Sequence, residues 1–176
     1  MKKFFIKFTL WIILILSAFL LQNNLCRMIP FFQTAPNLLL IVTFSLGFLR
    51  GKVTGMMTGL VCGLLLDAFS GGILGANVLA FIYIGYLNGL LSRILVNDMI
   101  LLPLCLSVIN EICYSLYSYV VRVLLIGKTN VWDYVKTIML PELILTVFCT
   151  VILYGIIMTV NRRLGAKEKE GENRIA

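Results

Sequence analysis

The sequence predicts an all-α integral membrane protein, a bundle of six transmembrane helices. Three observations carry that prediction. Of 176 residues, 60% are hydrophobic and 13% charged, and the mean hydropathy is +1.00, a balance foreign to soluble domains. The apolar residues fall into six runs, about 4–21, 36–50, 53–69, 73–91, 99–121 and 138–160, with short polar connections between them. No polar stretch is long enough to fold separately, so residues 1–162 form one transmembrane domain, and the mixed-charge tail 163–176 reads as disordered.

The first run follows Lys2 and Lys3, and its poor small-residue cleavage site marks it as a retained span and not a secretory signal. Gln22-Asn23-Asn24 should end it, and Ile29-Pro30-Phe31-Phe32 in the following connection could lie along the headgroup layer. The second run opens at Pro36, which suits a first helical turn, and closes at Arg50. It reaches roughly 21 Å against a hydrocarbon thickness of about 30 Å. Local thinning, snorkelling flanks, or burial in a shallow hairpin would each accommodate it.

In the third run Gly55, Gly59 and Gly63 recur every four residues, and Asp67 continues that face. Such a face admits a second helix at close range, from within the chain or from a partner. A carboxylate in hydrocarbon costs several kcal/mol, so Asp67 must face protein, water or a headgroup. Ser70-Gly71-Gly72 then supplies a sharp reversal, and Gly75 and Asn77 lie where the fourth helix begins. That helix repeats the spacing of four with Gly85 and Gly89.

The fifth run has the most polar interior. Ser107, Glu111, Ser115, Ser118 and Arg122 recur at three and four residues with Asn110 beside them, so one face is hydrophilic and must look into the bundle or onto another protein's helix. Glu111 is open to three readings: a neutral acid hydrogen-bonded in the core, which is the least costly buried form, an ion pair, or a coupling residue. Residues 127–136 read as a loop anchored at the interface by Trp132 and Tyr134. Pro141-Glu142 should open the sixth helix, the acid sitting at the positive end of the dipole or serving as a ligand.

With six spans and a cytoplasmic start, eleven basic residues fall on inner segments and four on outer ones, the fifteen of the chain. The positive-inside rule therefore puts both termini in the cytoplasm. The net charge of +7 belongs to topology and to membrane lipids of negative charge, not to nucleic acid. Asp67, Arg122 and Glu142 then share the outer end, where Arg122 pairs with one or both acids or each charge snorkels alone.

The chemistry expected is thin. Histidine is absent. Cys26, Cys62, Cys105, Cys113 and Cys149 have no CxxC spacing and read as small buried hydrophobes, so no metal or cofactor is expected. The acids are scattered and no phosphate-binding loop follows a strand, which argues against an enzyme.

Between Pro36 and Asn77 the elements Pro36-Asn37-Leu38-Leu39, Arg50-Gly51, the spaced glycines Gly55, Gly59 and Gly63, Leu65-Leu66-Asp67, Ser70-Gly71 and Gly75-Ala76-Asn77 follow in order. This pattern resembles the MreD family of rod-shape-determining membrane proteins, departing at Asn37, where an acid is common in the family. The resemblance implies a non-enzymatic scaffold of the bacterial wall-elongation machinery in the cytoplasmic membrane. It implies a direct partner, the single-span protein MreC, and through it MreB and RodA with its transpeptidase. It also implies a six-helix fold like the substrate-binding component of energy-coupling-factor transporters, which keeps open the alternative of a small-molecule-binding importer subunit. In that case Asp67, Asn77, Asn110, Glu111 and Arg122 would line an outward pocket. A homo-oligomer is also open.

Overall fold

The structure, a computed structural model, describes residues 2–28, 35–70, 74–92, 101–126 and 130–172, with side chains over 9–24, 35–69, 74–92, 102–121, 123 and 130–161. The described residues are helical, without a strand. They comprise α1 (Lys2–Met28), α2 (Leu38–Arg50), α3 (Lys52–Ser70), α4 (Ala76–Leu91), α5 (Leu101–Ile126), and the short α6 (Val131–Tyr134), which runs through a π segment (Val135–Met139) into α7 (Leu140–Glu172). By length and composition, Lys52–Phe69, Leu102–Val121 and Val131–Asn161 are long and apolar enough to cross a membrane. Thr9–Asn24, Leu38–Arg50 and Ala76–Leu91 are shorter apolar helices.

The core sits on the shortest of these apolar helices, α2. Every residue of α2 from Leu38 to Gly47 is buried, and α1, α3, α4, α5 and α7 all pack against it. Thirteen residues give about 20 Å of helix, too short to span alone, and burial among neighbours resolves the mismatch. Asn37 caps α2, its Oδ1 accepting from Leu40 N at 3.2 Å, so the helix begins at Leu38 and not at Pro36. Gln22 Oε1 accepts from Leu39 N at 3.2 Å, and Thr146 Oγ1 accepts from Asn37 N at 3.0 Å.

Gly51 makes the junction from α2 to α3. Its φ of +92° lets the chain reverse in a single residue, a region that disfavours side chains. Helix α3 then lies antiparallel to α4 with almost no space between the backbones. A Cβ on Gly55 would strike Gly85 O, one on Gly59 would strike Phe81 O, and one on Gly63 would stand 2.5 Å from Val78 Cα. The reverse holds for Gly85 against Gly55 and Gly89 against Lys52, while a Cβ on Gly47 of α2 would come 2.7 Å from Gly85 O. Thus α2, α3 and α4 form a glycine-welded unit, with α1, α5 and α7 around it.

Several expected boundaries are corrected. Helix α1 does not stop at Gln22-Asn23-Asn24 but continues to Met28, because Gln22 is turned inward to the start of α2 instead of ending the helix. Helix α4 starts at Ala76 and not at 73, where its amide groups meet an acid cap, and α5 runs to Ile126. The expected loop 127–136 is helical from Val131. Pro141 has no N–H and crowds the carbonyl four residues back. The π segment just before it, closed by Leu140 N donating to Val135 O, absorbs that mismatch inside one continuous helix. Glu142 therefore does not cap a free helix end. Helix α7 runs as far as Glu172, consistent with the strong helix formers of Ala166-Lys167-Glu168-Lys169-Glu170.

Candidate functional site

Besides the polar contacts at the start of α2, buried hydrophilic side chains gather into three stations among the described residues. The first lies where α3 hands over to α4. Asp67, 3% exposed, turns its carboxylate onto the first turn of α4. Its Oδ2 accepts from Gly75 N at 2.8 Å and Val78 N at 3.2 Å, and its Oδ1 accepts from Asn77 N at 3.1 Å and Asn77 Nδ2 at 2.9 Å. A helix start leaves N–H groups without intrahelical partners and carries partial positive charge, so one carboxylate answers both needs. Gly75 permits the turn through its φ of +98°.

The station reaches α5 as well. Asn77 Oδ1 accepts from Tyr114 Oη at 3.0 Å, and Ala76 O accepts from Tyr117 Oη at 2.8 Å. Asp67 is thereby a joint between three helices. The sequence marked Asp67, Gly75 and Asn77 but missed both tyrosines, whose spacing of three on a polar helix was the available sign. Gly71 lies outside the described residues, as does the side chain of Ser70.

The second station pairs α4 with α5. Asn88 and Asn110, both buried, exchange hydrogen bonds in both directions: Asn88 Nδ2 to Asn110 Oδ1 at 2.9 Å and Asn110 Nδ2 to Asn88 Oδ1 at 3.1 Å. Asn88 Nδ2 also donates to Ile84 O at 2.7 Å. Asn88 was missed, although a lone amide between Gly85 and Gly89 in an apolar run demands a partner.

The third station is the seam between α5 and α7. Ser107 and Thr150 hydroxyls meet at 2.8 Å, Thr150 Oγ1 donates to Thr146 O at 2.7 Å, and Tyr134 Oη donates to Ser115 O at 3.2 Å. Glu111 is fully buried here beside Thr146 and Glu142. The Thr146 hydroxyl faces it, yet neither Glu111 oxygen completes a hydrogen bond with a described residue, and the Ser115 hydroxyl one turn on is also left open. From Ser107 to Ser115 the polar face of the fifth helix is thus turned inward. The side chain of Arg122 lies outside the described residues, and with it the expected pairing to Asp67 and Glu142; Asp67 already holds four donors without it.

No group of three or more metal-binding side chains occurs among the described residues, and the four described cysteines are free thiols. Cys62 is buried, whereas Cys105 and Cys113 are exposed on the bundle's outer surface, contrary to the reading of all five as buried hydrophobes. A cavity of about 390 Å³ opens sideways between α4 and α5, walled by Leu79, Tyr83, Leu87, Cys113, Tyr114 and Tyr117 and almost wholly apolar.

Fold and stations together define a helical membrane protein whose hydrophilic side chains tie helices to one another. A family model described as rod shape-determining protein MreD matches residues 2–163, and the chain belongs to that family. No curated protein and no solved structure matches it. It is therefore a rod-shape-determining membrane protein of the MreD family.

Proposed function

We propose that the protein is a non-enzymatic scaffold of the bacterial wall-elongation machinery, a multi-pass protein of the cytoplasmic membrane with both termini inside, that holds the transmembrane helix of MreC. Family membership supports the setting. The observation that carries the scaffold reading is the inward use of polarity: Asp67, Asn77, Asn88 and Asn110 bond to partners in the same bundle. An importer subunit would instead converge such groups on a chamber, and the α4–α5 cavity is walled mainly by aliphatic and aromatic side chains. A groove of that character fits an apolar helix, with MreB, RodA and its transpeptidase reached through MreC. The six-helix likeness to importer substrate-binding components that the resemblance implies would then concern architecture and not activity.

The test is crosslinking through Cys113, which is exposed in that groove. With the other cysteines replaced, a thiol-directed photocrosslinker at Cys113 should capture the membrane span of MreC in native membranes. Capture from Cys105 alone, with Cys113 silent, would move the contact away from the groove.

A further inference from the structure

The end of the bundle where α2 closes carries a cation placed for a ligand. Arg50 is half-buried, and its Nε donates to Asn161 Oδ1 of α7 at 2.8 Å. That bond fixes one edge of the guanidinium and leaves its two terminal nitrogens, the fork that grips a pair of oxygens in parallel. Among the described residues Arg50 has no carboxylate partner. No acid precedes Asp67, which lies at the far end of α3, and the acids of α7 beyond Asn161, Glu168, Glu170 and Glu172, begin about two helical turns further on.

A half-buried cation without a counter-ion is costly, and the surroundings indicate the anion that would relieve it. Beneath Arg50 and Asn161 lies a narrow cleft of about 30 Å³ between α1, α2 and α7, with Leu10, Trp11, Leu46 and Val160 as its apolar walls. Polar donors sit at the mouth and hydrocarbon walls lie below, the order of groups in a phospholipid. Lys52 follows two residues on, and Lys2, Lys3, Lys7, Arg162, Arg163, Lys167 and Lys169 belong to the same end by their places on α1 and α7. They outnumber Glu168, Glu170 and Glu172 there, so the field favours negative charge.

We propose that Arg50 and Asn161 form a binding site for the phosphodiester of an anionic phospholipid, whose acyl chains stay in the surrounding bilayer. The site clamps α7 to the end of α2 through the lipid as well as through the direct hydrogen bond. It is independent of the scaffold reading, since it needs neither MreC nor any part of the wall machinery.

The experiment is native mass spectrometry of the full chain in neutral detergent, titrated separately with phosphatidylglycerol, phosphatidylcholine and inorganic phosphate. The expected result is one tightly retained phosphatidylglycerol, with phosphatidylcholine and inorganic phosphate held much more weakly. Arg50→Gln should weaken phosphatidylglycerol roughly tenfold or more, the scale of a lost charge-assisted pair. Asn161→Leu, which keeps the charge but frees its edge, should weaken it by a smaller factor. Arg50→Lys keeps charge and bulk but loses the fork, and should fall between wild type and glutamine, which keeps the test open if Arg50→Gln misfolds. Unchanged retention in Arg50→Lys and Asn161→Leu would overturn the site. So would phosphatidylcholine bound as tightly as phosphatidylglycerol, or inorganic phosphate displacing the lipid at equal concentration.

Discussion

Adding one methyl group at Gly59 should loosen the whole bundle, and the structure sets the scale. The new Cβ would strike Phe81 O and stand 2.6 Å from Phe81 C and 2.9 Å from Ile82 N, all backbone atoms that cannot swing aside. Non-bonded carbons rest at about 3.5–4.0 Å, so α3 and α4 must part locally by about 1 Å, which forfeits a quarter to a half of the dispersion well along the seam. Overpacking of this kind costs about 1–3 kcal/mol, against which alanine's better helix propensity returns up to about 1 kcal/mol. A net loss of about 1–2 kcal/mol is expected for Gly59→Ala. Gly59→Leu should lose more, and more than alanine at Cys62, Cys105, Cys113 or Cys149. Gly155 is the control: nothing lies within 4 Å of its would-be Cβ, so Gly155→Ala should be neutral or slightly stabilising. The assay is equilibrium unfolding in mixed micelles, followed by circular dichroism. Wild-type stability in Gly59→Ala, or equal losses at Gly59 and Gly155, would refute close helix approach as the source of cohesion.

Asp67→Asn keeps one acceptor but aims an amide at backbone donors, so it should cost about 1–3 kcal/mol and speed hydrogen exchange at Gly75, Asn77 and Val78; unchanged exchange there would remove the cap. Asn88→Leu and Asn110→Leu should each destabilise by about 1–2 kcal/mol, while the double variant loses less than their sum, the coupling expected of an intramembrane amide pair. Strict additivity would show that the two do not pair. Glu111→Gln should leave the unfolding midpoint of the isolated protein nearly unchanged, because neither carboxyl oxygen has a completed hydrogen bond to lose among the described residues. A loss of about 3 kcal/mol or more would instead mark a broken buried ion pair.

How far the sequence revealed the fold depends on whether the signal was local. The glycine intervals of α3 and α4 and the hydrophilic stripe of α5 from Ser107 to Ser115 are periodicities of single helices, readable at the spacing of one turn, and the structure turns both inward. Asp67 was legible as a costly acid, but its acceptance of four donors depends on the trajectory of the chain through Gly75. What failed was punctuation. Gln22 read as a helix end because polarity usually marks one, yet its amide bonds the start of α2 seventeen residues on. Pro141 read as a helix start because the π segment that tolerates it has no composition of its own. The hub role of α2 was equally hidden: a short, uniformly apolar run shows no face, and only packing tells a buried helix from a shallow one.

The measurement that bears most directly on the scaffold account is affinity purification of the tagged chain from native membranes, with both the co-purified proteins and the retained small molecules identified. The account predicts MreC in near-equal amount and no metabolite in the bundle. A preparation free of any single-span partner that carries a stoichiometric small-molecule cargo would contradict it.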